Sequence, residues 1–206
     1  MPSSTSRLVP AILAAALCAG CGSGPERAAA AAAADSAVVV RDDAGAELRL
    51  PRTARRIVSL VPSATESLLA MGAGGRVVGR SDLERSPRVA SIPSVGGGVN
   101  PSLEAVVALR PDLVIAWGAD ESPTVRPRLE ALGIPVLVLQ GRDTSHVFRS
   151  IARLGAITGM RRSADSLSAA IRAGLDSVRA EVAGLPRRTV FYVVWHDPPV
   201  TVGPRS

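Results

Sequence analysis

The chain has 206 residues, of which 47% are hydrophobic and 20% charged, so it is long enough for one globular domain or one and a half. Its net charge is +6, and the basic residues are arginines spread between apolar segments. Nucleic-acid binding requires a basic stripe with interleaved aromatic residues, and aromatic residues make up 2% of this chain. We therefore expect no nucleic-acid partner.

Residues 1–20 are typical of an export signal of the lipoprotein type. Arg7 provides a positive start, and residues 8–17 form an apolar segment that is too short to span a bilayer. We expect Cys21 to become the lipidated first residue, with residues 21–36, rich in alanine, as a low-complexity tether. The alternative is an ordinary secreted protein that is cleaved after a small residue.

The globular part of the chain begins with β-forming segments. Residues 37–40 and 47–50 flank an Asp/Gly turn and predict a β-hairpin. Residues 57–61 are apolar and largely β-branched, which predicts a buried strand that ends at Pro62.

A helix is predicted directly after this strand and ends near Gly72. Ser63 and Glu66 have the spacing of a capping box, in which each side chain bonds the backbone N–H of the other residue. Ligands of open α/β sheets bind at the carboxyl ends of strands, so Ser63 and Thr65 are candidates for ligand contact. Taken alone, this stretch favours an ordinary first βα unit that binds no ligand.

Strands and helices then alternate along the chain. Further strands are predicted at residues 76–79, 112–117 and 135–139, with a polar loop at 81–87 and a glycine turn at 95–98. One helix is predicted to begin with Asn100 as its N-cap and Pro101 as its first residue, and another spans about residues 122–132. This alternation predicts an α/β fold with a parallel sheet and helices on its faces.

The alternation ends with two consecutive helices, predicted at about residues 144–157 and 163–183. The second carries an apolar stripe that includes Leu175 and Val178, and its Arg172 and Asp176 have the spacing of an ion pair. One more strand is predicted at residues 189–195, with no sheet to join. We therefore expect only the first strand of a second α/β lobe, truncated at residue 206.

The two histidines favour neither a metal site nor a catalytic site. His146 is expected at the surface near a helix start, and His196 in a loop, far apart and without clustered acids. His196 and Asp197 with a remote serine suggest a secreted hydrolase as an alternative, but the Gly-x-Ser-x-Gly elbow is missing. We expect no catalytic residues and no metal-binding residues.

The order of these motifs resembles the periplasmic substrate-binding proteins of ABC transporters for cobalamin, haem and ferric siderophores, most closely their cobalamin-binding branch. The matching segments are RIVSLVPSATESLLAMG (56–72), VVGRSD (77–82), VGGGVNPSLEAVVALRPDLVIAW (95–117), LGIPVLVL (132–139) and WHDPPVTVGPRS (195–206). The resemblance implies a Rossmann-like N-terminal lobe at residues 37–160, a bridging helix region at 161–185, and the start of a C-terminal lobe at 186–206. The ligand would lie between the two lobes.

The resemblance also implies which residues contact the ligand. They are Ser63, Ala64, Thr65, Leu83, Gly96, Gly97, Trp117, Gly118, Trp195 and His196. Trp117 matches an aromatic residue at a strand end and can stack on a flat macrocycle. The cobalamin-binding pattern has aromatic residues at the positions of Leu83 and Gly96, which are not aromatic here. The expected ligand is therefore cobalamin or another metal chelate, such as haem or a ferric siderophore.

The resemblance further implies a monomer in the periplasm or at the cell surface, whose partners are an ABC permease and its ATPase. Glu104 matches the glutamate with which the first lobe docks on the permease. No cofactor is expected apart from a lipid on Cys21, which would anchor the chain to the membrane. An extracytoplasmic sensor or adaptor that uses the same lobe is the alternative function.

Overall fold

The computed structural model describes residues 37–118, 124–141, 143–196 and 199–201. The export signal predicted for residues 1–20, the tether predicted for residues 21–36 and the predicted lipidation site Cys21 lie outside this part of the chain. Within it, no helix combines the length and the apolar character needed to cross a membrane.

A four-stranded parallel sheet with the strand order β4-β3-β5-β6 forms the centre of the structure. Its strands are β3 (Ile57–Ser59), β4 (Val77–Arg80), β5 (Leu113–Trp117) and β6 (Val136–Leu139). Ser59 pairs with Ile115, and Trp117 pairs with Leu139. The strands β3, β5 and β6 are buried almost throughout, which explains their continuous apolar sequences.

Helices cover both faces of this sheet and confirm the predicted α/β class. They are α1 (Pro62–Ala70), α2 (Leu103–Ala108), α3 (Val125–Ala131), α4 (Thr144–Thr158) and α5 (Arg161–Val182). Leu68 of α1 and Leu154 of α4 share one core with Ile115, whereas Leu129 of α3 shares the other core with Val114. Neighbouring residues of β5 thus point to opposite faces of the sheet.

The predicted hairpin is present as two antiparallel strands, β1 (Val38–Arg41) and β2 (Glu47–Leu50). Two carboxylates of its turn form ion pairs with helices of the domain. Asp42 Oδ2 lies 2.6 Å from Arg126 Nη1 of α3, and Asp43 Oδ1 lies 2.5 Å from Arg153 Nη1 of α4. The other oxygen of Asp43 accepts a hydrogen bond from the N–H of Gln140, just after β6.

The structure corrects the predicted start of α1. The helix begins at Pro62, with Val61 as its N-cap and without a capping side chain. The predicted capping box of Ser63 and Glu66 therefore does not form. Proline has a fixed φ that suits the first helical position, so the helix starts one residue ahead of Ser63.

The start of α2 also differs from the prediction. The hydroxyl of Ser102 accepts a hydrogen bond from the N–H of Ala105 at 3.2 Å and caps the helix, so Asn100 is not the N-cap. Pro101 instead pairs with Gly96 in an isolated β-bridge, which holds this segment outside the helix. The start predicted for the next helix, near residue 122, lies outside the described residues.

Helices α4 and α5 pack closely where they meet, on either side of Gly159, which has a φ of 69°. A Cβ atom on Gly155 of α4 would lie 2.5 Å from the Cβ of Ala164 of α5, so the contact requires glycine. Beyond Ile171, the described residues of α5 are exposed. The predicted pair of Arg172 and Asp176 does not form, because Arg172 lies over a ring and Asp176 pairs with Arg179.

The segment after α5 also differs from the prediction. The strand predicted at residues 189–195 is shorter and later, as β7 (Val193–His196). It pairs antiparallel with a strand that the sequence analysis missed, β8 (Pro199–Thr201). The strand is therefore not alone, because Pro199 to Thr201 supplies its hydrogen-bonding partner.

Candidate ligand-binding site

A cavity of about 250 Å³ opens at the edge of the sheet where β3, β5 and β6 end. Its walls come from the start of α1, the ends of β5 and β6, and the first two turns of α4. The carboxyl edge of a parallel sheet is the usual place for ligands in open α/β folds. The lining residues are Val61, Ser63, Ala64, Ser67, Trp117, Leu139, Gln140, Gly141, Asp143, His146, Val147 and Ser150.

Trp117 is the large aromatic side chain of this wall. It is the last residue of β5, is half-buried, and packs partly against the core that contains Leu139. The glycine turn also lies close to the indole. A Cβ atom on Gly98 would lie 3.3 Å from the indole Nε1 of Trp117 and 3.2 Å from Cδ1 of Leu83. The glycine turn therefore lies against Trp117 without lining the cavity, and Leu83 lies exposed at the turn.

The three candidates at the start of α1 differ in their positions. Ser63 is exposed and lines the cavity, and Ala64 lines it although its side chain is buried. Thr65 points into the protein, where its hydroxyl donates to the hydroxyl of Ser59 at 2.9 Å. The structure thus places Ser63 and Ala64 at the cavity and Thr65 outside its lining, so that ligand contact by Thr65 stays a prediction.

The glycine candidates are not part of the cavity wall in the described structure. Gly96 has a φ of 96°, and it and Gly97 lie against the backbone of Asn100 in the turn that precedes α2. Gly118 is buried against Gln140, whose Cγ would lie 2.6 Å from a Cβ atom on Gly118. The role of these glycines in ligand binding remains a prediction. Because Gly118 has no side chain, Gln140 can pack against it.

Asp143 and His146 are site residues that the sequence analysis missed. Asp143 caps α4, since its Oδ1 accepts from the N–H groups of Ser145 at 2.7 Å and His146 at 3.2 Å. In return, Nδ1 of His146 accepts from the N–H of Asp143 at 3.3 Å, so the imidazole takes the place of glutamate in a capping box. The sequence signal for this cap is that Asp143 stands three residues before His146, which is the spacing of a capping box.

The same contacts set the charge at this end of the cavity. The hydrogen bond from the Ser145 hydroxyl, together with the backbone N–H groups of His146 and Ser145, lowers the pKa of Asp143 from 3.8 to about 2. The carboxylate is therefore charged at neutral pH. The cavity combines an indole, aliphatic groups and a few polar groups, which can bind a flat, largely apolar molecule with polar substituents.

Glu104 lies away from the cavity, in the first turn of α2. It is exposed, and within the described residues its carboxylate makes no ion pair. Apolar side chains of Leu103, Val107 and Leu132 surround it at the surface.

Trp195 and His196 belong to β7, so His196 lies in a strand and not in the predicted loop. The side chains of Trp195 and His196 and the whole of Cys21 lie outside the part that is described. Within that part, no three His, Cys, Asp or Glu side chains are grouped so that they could hold a metal ion.

The model of one protein family, described as periplasmic binding protein, matches residues 57–205 of this chain. The chain belongs to the periplasmic binding protein family.

Individual members of the family show the extent of the likeness. An uncharacterized ABC transporter substrate-binding lipoprotein of Bacillus subtilis is 30% identical over 92% of this chain and 63% of its own length. The crystal structure of the vitamin B12 binding protein of Vibrio cholerae matches with a TM-score of 0.63 and 27% identity, over 72% of this chain and 59% of that one. A periplasmic heme binding protein from Pseudomonas aeruginosa matches with a TM-score of 0.59 and 28% identity, over 68% and 52%.

These matches confirm the predicted resemblance and fold class. They also show that the chain spans between 52% and 63% of the length of these three proteins. The relatives are substrate-binding proteins, which fits the expectation of binding and not of catalysis.

Proposed function

We propose that the chain belongs to the substrate-binding component of an ABC importer, which binds cobalamin or a related metal chelate outside the cytoplasm and delivers it to a permease. The observation that carries this proposal is the half-buried indole of Trp117 in a cavity at the carboxyl edge of the sheet. Family membership supports binding and delivery as the type of function.

The wall of the cavity fits a flat chelate ligand. The face of an indole stacks well on a conjugated ring system, with ring centres about 4.5–7 Å apart. Around Trp117, the side chains of Ser63, Gln140 and His146 provide polar groups for the substituents of such a ring. The described lobe would form one side of the site.

The relatives support a class of ligand more strongly than a single compound. The protein of Vibrio cholerae is a vitamin B12 binding protein and that of Pseudomonas aeruginosa a heme binding protein, and their identities to this chain are 27% and 28%. Cobalamin and haem both contain a macrocyclic ring that holds a metal ion. We therefore propose this class, with ferric siderophores as the other metal chelates to be tested.

Two further parts of the chain complete the proposal. Cys21 would carry a lipid that holds the protein at the membrane, and Glu104 would meet a basic residue of the permease. Among the described residues Glu104 has no ion-pair partner, and it lies within an apolar surface, which supports the second role.

Isothermal titration tests the proposed function. The protein produced from its complete native gene should bind cobalamin, haem or a ferric siderophore with a dissociation constant of about 1 μM or lower. Metal-free porphyrin and the iron-free siderophore serve as controls for the chelated metal. If none of the three metal chelates binds, the proposal is wrong.

A further inference from the structure

A second concave surface lies on the opposite side of the first turns of α4. This groove, which we call the arginine groove, has a volume of about 430 Å³ and is lined by Thr144, Ser145, Phe148, Arg149, Arg172, Leu175, Asp176 and Arg179. The ligand cavity uses His146, Val147 and Ser150 of the same helix. At 3.6 residues per turn these two sets of residues lie on opposite faces of α4, so the arginine groove is a separate site.

Three guanidinium groups of the arginine groove are each held by one neighbour. The Arg172 guanidinium carbon lies 3.8 Å from the centre of the Phe148 ring, a cation–π contact between α5 and α4. Nη1 of Arg179 bonds Oδ1 of Asp176 at 2.7 Å, and Nη1 of Arg149 bonds the hydroxyl of Ser145. An arginine side chain has five N–H donors, so each contact leaves most of the donors available.

The charges in the arginine groove are unbalanced. Among its lining residues, Asp176 is the one carboxylate that faces the three guanidinium groups. Asp143 lies behind Ser145, where the hydroxyl of Ser145 donates to its Oδ1 at 2.5 Å and the amide of His146 also bonds it. Even when Asp143 is counted with Asp176, three guanidinium groups face two carboxylates, so the groove keeps an excess of positive charge.

We propose that the arginine groove binds a phosphate group, either of a soluble phosphate ester or of a lipid headgroup. The planar fork of arginine matches two phosphate oxygens at once, and orienting the guanidinium groups in advance lowers the entropy lost on binding. Thr144, in the first turn of α4, adds a hydroxyl group to the lining of the groove. This inference does not depend on the proposed transport function.

Thermal unfolding of the 206-residue chain in inorganic phosphate tests this site. Phosphate should raise the melting temperature with saturation at a dissociation constant on the order of 1 mM, beyond the effect of chloride at the same ionic strength. The variant Arg172→Gln/Arg179→Gln should weaken phosphate binding about tenfold or more. Arg162→Gln changes an exposed arginine of the same helix outside the groove and should bind as the parent chain does.

Vesicle sedimentation distinguishes the two sources of phosphate. A Cys21→Ser chain, which cannot be lipidated, is mixed with phosphatidylcholine vesicles with or without phosphatidic acid. Binding that requires phosphatidic acid and the groove arginines supports a lipid headgroup, whereas binding of inorganic phosphate alone supports a soluble ester. The proposal is overturned if phosphate acts no more strongly than chloride, or if the double variant and Arg162→Gln bind phosphate equally.

Discussion

Gly98 and Trp117 lie so close together that a Cβ atom on Gly98 would come within 3.3 Å of the indole Nε1. The same atom would lie 3.0 Å from the carbonyl oxygen of Leu60, just after β3. The glycine turn therefore touches two strands of the sheet at once. Since Gly98 lies against the indole and is not among the residues that line the cavity, it is a positioning residue for Trp117.

Replacing Gly98 with alanine should disturb this position. Because the neighbours must move by a few tenths of an ångström, we expect a loss of unfolding free energy of about 1 kcal/mol and a weaker affinity for the chelate ligand. The measurements are urea unfolding and isothermal titration. Gly75→Ala is the matched control, because its Cβ atom would meet no other atom within 4 Å. Equal ligand affinities of the two variants would contradict the role given to Gly98.

The buried ion pair of Asp42 and Arg126 should contribute strongly to stability. The Asp42 side chain is fully buried, and Arg126 also bonds Glu130, which is 45% exposed. Asp42→Ala leaves the guanidinium without its buried partner and should cost about 3 kcal/mol in urea unfolding. Glu130→Ala removes the exposed partner and should cost less than about 1 kcal/mol. Similar losses in both variants would show that burial of Asp42 does not decide the effect.

Two glycines in neighbouring helices should respond to alanine with opposite signs. Gly155 of α4 faces Ala164 at a distance that leaves no room for a methyl group, so Gly155→Ala should destabilise the fold by about 1–3 kcal/mol. Gly174 of α5 is exposed and has open space around it. Gly174→Ala should stabilise the fold by about 0.5–1 kcal/mol, because glycine lowers helix stability. Thermal unfolding measures both, and a stable Gly155→Ala chain would refute the close packing of α4 and α5.

Glu104 should act in delivery and not in ligand binding. Since it lies outside the cavity, Glu104→Ala should keep the ligand affinity of the parent protein and lower uptake of the ligand by cells. Glu181→Ala changes an exposed glutamate of α5 and should leave uptake unchanged. Loss of ligand affinity in Glu104→Ala would argue against the docking role.

The sequence predicts the strands and the fold class well, because buried parallel strands form continuous apolar runs. The run from Ile57 to Val61 contains β3, which ends at Ser59, two residues before the predicted end, and the run that ends at Trp117 is β5. Helix starts are less predictable, since several residues compete for the cap. Pro62 precedes Ser63 as the first helical residue, and the β-bridge of Pro101 moves the cap from Asn100 to Ser102.

The candidate site depends on tertiary contacts that local patterns do not contain. His146 has the appearance of a surface residue near a helix start, but the first turns of α4 pack beside the end of β5 and bring it to the cavity. Thr65 follows the carboxyl end of a strand, where ligand contacts are expected, but the hydrogen bond of its hydroxyl to Ser59 turns the side chain inward. Trp117 is predictable because it ends a strand, and strand ends of a parallel sheet share one edge.

The most direct test of the central claim compares Trp117 variants by isothermal titration with cobalamin, haem and a ferric siderophore. Each variant is made in the protein produced from its complete native gene. Trp117→Ala should weaken binding of the preferred chelate by about tenfold or more through the loss of stacking, and Trp117→Phe should restore part of it. If Trp117→Ala binds the chelate as tightly as the parent protein, the cavity beside Trp117 is not the ligand site.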